Sequence, residues 1–170
     1  MKKLMALVLV LVFILSFAGC NNISLPAQVP EDFSFSLTWG AESTNSYDST
    51  TGKMVKTFTG SETEDYTTYY ELTTEQKELI YSHIKQLDLN SYPDIYDPHE
   101  NGKKSKPPMT LILTVRKGEK EKTIKAEKIA YVYEAENEKG QKFLSTCKAI
   151  HEILETTNEW QSLPDHPALD

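Results

Sequence analysis

Residues 5–19, MALVLVLVFILSFAG, form an apolar run that opens just after Lys2 and Lys3 and stops at Cys20. At about fifteen residues it falls short of the roughly 20 that cross a ~30 Å hydrocarbon core as a helix. A basic start, a short apolar centre and small residues before a break are the layout of a secretory signal. A buried helix or strand would not account for the paired lysines in front, nor for the polar chain directly after Cys20. Residues 1–19 are therefore expected to act as an address, leaving the fold to be built from the chain beyond them.

Phe17, Ala18, Gly19 and Cys20 resemble the lipobox of bacterial lipoproteins, with Phe standing where Leu is more usual. The resemblance implies that Cys20 is lipidated, becomes the mature N-terminus, and ties the protein to the membrane. Two or three acyl chains on one residue anchor stably, whereas a single chain binds marginally. Removing residues 1–19 takes away Lys2, Lys3 and no acid, so 151 residues remain and the formal charge moves from −7 to −9. That length suits one domain with a core large enough to need no disulfide scaffold. With Cys20 acylated, Cys147 is the remaining thiol and has no intrachain partner. The acidic balance, with no concentrated basic stripe, argues against nucleic acid as a partner and against broad adhesion to an anionic bilayer.

Residues 20–30 are expected to be the lipidated N-terminus and a short tether, about 30 Å if extended, that lets the domain rotate on its anchor. The domain itself is expected over 31–170. Phe33, Phe35, Leu37 and Trp39 alternate with polar residues, the period of a half-buried strand. Residues 45–59 predict two short strands around a Ser49–Gly52 turn, and YTTYYEL over 66–72 predicts another. TTEQKELIYSHIKQLDL then changes period, putting Leu79, Ile80, His83, Ile84 and Leu87 on or beside one helical face, with a Thr73–Gln76 capping box at its start. Residues 88–108 carry four prolines and the Lys103, Lys104, Lys106 cluster, and predict the longest irregular stretch. MTLILTVRKGEKEKTIKAEK predicts a hairpin around Lys117–Lys120, with a central first strand and a more exposed second. YVYEAE either continues the sheet or leads into a last helix, roughly Lys139 to Thr157, whose stripe of Phe143, Cys147, Ile150 and Leu154 packs on a sheet and buries the thiol. The fold class expected is α+β, a mainly antiparallel sheet with two principal packing helices.

Chemistry is sparse. Asp94, Asp97, His99 and Glu100 are the richest polar group; carboxylates with an imidazole could hold a cation or support acid–base catalysis. Their spacing matches neither a calcium-binding EF-hand loop nor a paired-histidine zinc helix, so a solvated, turn-forming loop is expected. His151 lies one helical turn beyond Cys147, yet no oxyanion donors or orienting third residue accompany the pair, and His83 sits within an apolar face. Ser49-Thr50-Thr51-Gly52-Lys53 lacks the glycines and strand–helix setting of a phosphate loop and is expected to be a turn. No catalytic, cofactor or metal site is assigned.

Tyrosines are the remaining signal. Tyr47, Tyr66, Tyr69, Tyr70, Tyr92 and Tyr96, with Tyr131 and Tyr133 further along, offer apolar bodies with polar tips suited to contacting a peptide or glycan. The first six are nominated as a binding face. Taken whole, with FAGC, the short tether and a Lys/Glu-rich surface, the chain resembles small, mostly uncharacterised lipoproteins of low-GC Gram-positive bacteria. That resemblance implies a place on the extracytoplasmic face of the cell membrane, and names no activity. The expected function is non-enzymatic binding of an envelope protein, peptide or glycan. The alternative is a small hydrolase or metal-dependent enzyme built on the 94–100 loop.

Overall fold

The computed structural model describes residues 22–41, 45–57, 65–99, 109–129 and 133–164. Residues 1–19, Cys20, Glu100, the lysines at 103, 104 and 106, and Tyr131 lie outside the described residues.

Strand β1, Phe33–Trp39, follows its sequence pattern: the four apolar side chains are buried and the three polar residues between them are half-buried. On one side it pairs with β2, Asn45–Asp48, followed outward by β3, Lys53–Lys56, and β4, Tyr66–Tyr69. On the other it pairs with β5, Met109–Lys117, which pairs in turn with β6, Lys120–Ile129. The result is a six-stranded sheet of order β4-β3-β2-β1-β5-β6 with every neighbouring pair antiparallel. Gly118, at φ 57°, closes the β5–β6 hairpin where a β-carbon would strain the backbone. Each fully buried aliphatic or aromatic side chain of this sheet contributes about 1.5–3 kcal/mol relative to exposure.

Two helices cover one face of the sheet. Helix α1, Thr74–Lys85, starts with the predicted capping box: the Thr73 hydroxyl accepts from the Gln76 N–H and Gln76 Oε1 accepts from the Thr73 N–H. Helix α2, Glu138–Glu155, is capped by Asn137, whose Oδ1 accepts from the Gly140 N–H at 2.6 Å. Its Phe143, Leu144, Cys147, Ile150 and Leu154 are all buried. The expected run to Thr157 is interrupted: α2 ends at Glu155, and the Thr157 side chain caps a separate short helix α3, Asn158–Gln161. This break turns Trp160 back onto Trp39, ring centroids 5.4 Å apart. The apolar face of α1 also differs from expectation. Ile80, Tyr81 and Ile84 are its buried residues, whereas Leu79 is exposed. Tyr81 turns inward because its ring meets Phe33 edge-on at 4.8 Å and its hydroxyl donates to the Pro26 carbonyl at 2.8 Å.

The segment before β1 corrects a second expectation. Residues 22–30 lie against the domain as a strap instead of standing off as a free tether. Ile23 is only 4% exposed and joins the core, with Leu25 and Val29 packed at its margin. The Asn90 amide holds the Ile23 backbone from both sides: Asn90 Oδ1 accepts from the Ile23 N–H at 3.0 Å, and Asn90 Nδ2 donates to the Ile23 carbonyl at 2.9 Å. Lys120 Nζ and Lys117 Nζ donate to the Asn22 and Ser24 carbonyls, each at 3.1 Å. Asn90 belongs to a single 3-10 turn, Leu89–Ser91, formed where an irregular stretch was expected. Downstream of it, Asp94 to Tyr96 run alongside β6. The Lys125 N–H donates to the Asp94 carbonyl and the Tyr96 N–H to the Lys125 carbonyl, both at 2.8 Å. This contact covers part of a sheet edge that would otherwise present unpaired backbone groups.

Candidate binding cleft

The β2–β3 turn is built from its own hydroxyls and carboxylate. Asp48 Oδ1 accepts from the Thr50 N–H at 2.7 Å, and the Asp48 carbonyl accepts from the Gly52 N–H at 2.9 Å. Gly52 has φ 69°, and a β-carbon there would lie 2.9 Å from the Tyr70 carbonyl oxygen, so glycine is required twice over. Ser49 ties the turn to β1: its Oγ accepts from the Phe35 N–H at 2.8 Å while its own N–H donates to the Phe35 carbonyl. The Tyr70 N–H donates to the Gly52 carbonyl, the Tyr47 hydroxyl to the Tyr70 carbonyl at 3.1 Å, and the Tyr70 hydroxyl to Gln76 Oε1 at 2.6 Å. Turn, strand end and helix cap are thereby one connected corner.

A cleft of about 500 Å³ opens at that corner. Its polar wall includes Thr50, Thr51, Glu71 and Lys77, and its aromatic wall Phe35, Tyr47, Tyr69 and Tyr70. Tyr69 is 67% exposed and Tyr47 only 2%. Burial, and then the neighbouring Tyr70, Asp48 and Glu71, hold the Tyr47 phenol protonated far above its ordinary range. Tyr47 is thus a neutral structural pin, while Tyr69 presents a ring to solvent. The cleft is lined by aromatic, hydroxyl-bearing, basic and acidic residues, groups whose chemistry is stacking and hydrogen bonding. Lys77 and Glu71 were not nominated from sequence. Their only signal is that they flank the Thr73 cap.

The six nominated tyrosines do not make one face. Tyr47, Tyr69 and Tyr70 line the cleft, and Tyr66 lies at the far end of β4, opposite Lys56. Tyr92 and Tyr96 belong elsewhere, packed edge-on to each other at 5.0 Å and both against Phe143 of α2. Tyr92 is 3% exposed and donates its hydroxyl to the Lys139 carbonyl; burial pushes its phenol up to about 12. Lys139 Nζ sits 4.6 Å from the centre of that ring and donates to the Ser91 carbonyl. These two tyrosines fasten the proline-rich segment to the second helix.

The described members of the 94–100 group, Asp94, Asp97 and His99, have local partners. Asp94 pairs with Lys122 at 2.7 Å, and Asp97 Oδ1 accepts the His99 N–H at 2.9 Å. The His99 side chain is buried. Among the described residues no group of three or more His, Cys, Asp or Glu side chains is placed to hold a metal ion. Cys147 is fully buried in α2, and burial pushes its thiol well above the ordinary range. His151 Nδ1 is 2.7 Å from the Tyr133 hydroxyl, and Tyr133 holds φ 50°, uncommon for a residue with a β-carbon. Burial lowers the His151 pKa, outweighing Glu155 and Glu152, which raise it. The His151 ring also lies 6.2 Å from that of Trp39, whose indole N–H donates to Glu155 Oε1 at 2.8 Å.

Compared with protein-family models, with curated proteins and with solved structures, the chain matches none.

Proposed function

We propose that this protein is a lipid-anchored, extracytoplasmic binding domain that holds an envelope peptide or glycan in the cleft beside the β2–β3 turn. The observation that carries the proposal is the make-up of that corner. A fixed turn and a capped helix start present Thr50, Thr51, Glu71, Lys77 and the exposed Tyr69 around one cavity. Stacking on an aromatic ring combined with hydroxyl and charged partners suits sugars and polar peptides. The N-terminal run and the FAGC sequence support an exported, anchored protein.

The test uses the chain from residue 20 onward with Cys20→Ser, so that the domain is free of membrane. Soluble disaccharide-peptide fragments of bacterial cell wall and a pool of short extended peptides serve as probes, followed by amide chemical shifts. Binding is expected to move Thr50, Thr51, Tyr69 and Lys77, and Tyr69→Ala should weaken it about tenfold, the loss of one stacking contact of roughly 1–1.5 kcal/mol. Shifts confined to other surfaces, or none with either pool, would overturn the cleft as the site.

A further inference from the structure

We infer that the docked strap fixes how the domain sits on its membrane, with the β5–β6 hairpin end of the sheet held against the bilayer surface. The inference rests on acylation of Cys20, and adds to it an orientation that a free tether would not supply. Cys20 is two residues from Asn22. Two peptide units reach at most about 8 Å. Asn22 is held by Lys120, Ser24 by Lys117, and Ile23 by Asn90 and the core. The acyl chains therefore emerge within about 8 Å of a point secured to the hairpin, too short a lead for the domain to turn over. The opposite end of β1 carries Trp39 and Trp160, and six strand steps from Phe33 to Trp39 separate the two ends by about 20 Å.

Charge does not provide this orientation. Lys117 and Lys120 direct their ammonium groups to strap carbonyls, Lys122 is paired with Asp94, and Arg116 with Glu121. Glu119 and Glu121 share the hairpin end, and the chain without residues 1–19 carries −9, reached from −7 by loss of Lys2 and Lys3. The geometry points to a covalent and steric device: lipid, two linking residues, and a strap clamped by one asparagine. The cleft belongs to the same end, because Ser49 is hydrogen-bonded to Phe35 near the start of β1 and Phe33 lines the cavity. Its occupant is then met close to the bilayer surface.

The experiment uses the full-length lipidated protein, purified from membranes and reconstituted in phosphatidylglycerol vesicles doped with a headgroup-nitroxide lipid. A fluorophore is placed on Glu119→Cys at the hairpin turn, or on Ser162→Cys beyond α3; both positions are exposed, while Cys147 is buried and stays unlabelled. Quenching is expected to be several-fold stronger at position 119 than at 162 and to persist at high salt, where surface attraction is screened. Asn90→Ala and, separately, Ile23→Ser should release the strap and shrink the contrast while the protein stays on the vesicles. Equal or reversed quenching on an anchored, acylated protein would overturn the orientation and leave anchoring intact. Protein that carries no acyl chain by intact mass and does not bind vesicles would overturn the anchoring itself, and the orientation with it.

Discussion

Single residues decide what the buried polar groups can do. Cys147 lies on the α2 stripe with no exposed surface, so its thiol is a small apolar filler. Native protein should resist thiol reagents until denaturant unfolds it, and Cys147→Ala should lower stability by about 1 kcal/mol in urea melts. Rapid labelling of the folded chain would contradict that placement. His151 makes a pH prediction. Its pKa is lowered by burial from an ordinary value of 6.5, so the unfolded chain takes up a proton that the folded ring resists. Stability is then fully present above about pH 6.5 and drains as pH falls toward the lowered folded value. Thermal midpoints should drop across that window, and His151→Gln should flatten the drop; an unchanged slope would remove His151 as its source. The burial of Cys147 was legible in its helical spacing. The partnership of His151 with Tyr133 was not, because Tyr133 reaches it from an irregular segment at positive φ.

Elements carry the next level. The α1 start was legible because a capping box is written in four consecutive residues, Thr73 to Gln76. Gln76 also receives the Tyr70 hydroxyl, a link outside the four-residue pattern that joins helix to cleft. Thr73→Ala should cost about 1 kcal/mol. Gln76→Ala should cost roughly 1–2 kcal/mol, since it also strands Tyr70. A double-mutant cycle of Gln76→Ala with Tyr70→Phe, followed by urea unfolding, should be non-additive; strict additivity would mean the shared bond contributes nothing. The strap was misread because NNISLPAQVP has the composition of a linker, and its docking depends on Asn90, 67 residues away. Asn90→Ala removes both clamps on Ile23, at a cost of about 2 kcal/mol, and should expose residues 22–30 to early proteolysis. The end of α2 was overrun by two residues for a simpler reason. Threonine serves equally as a closing residue and as the N-cap of the next turn, and here Thr157 is the cap.

At the scale of the whole molecule, the fold class was legible and the strand order was not. Alternation over β1 and the helical stripe of α2 specify which faces are buried, and those faces require a sheet covered by helices. Nothing local specifies that β5 crosses back to pair with β1, a register with Leu37 opposite Leu113 that arises from matching apolar faces across a long separation. The cleft was legible only through Tyr47, Tyr69 and Tyr70; residues 49–53 read as a plain turn, and their convergence with Lys77 needed the pairing of β3 with β4. Under the proposal made above, Cys20 joins this domain to a membrane, with the strap and the cleft at the anchored end. Mass spectrometry of the N-terminal peptide, from protein extracted from the membranes of the cells that produce it, tests this most directly. The prediction is a chain that begins at Cys20 and carries the mass of two or three acyl chains, and a Cys20→Ser variant that carries none and leaves the membrane fraction. A mature chain that still begins at Met1 with an unmodified Cys20 would contradict the lipid anchor and everything built on it.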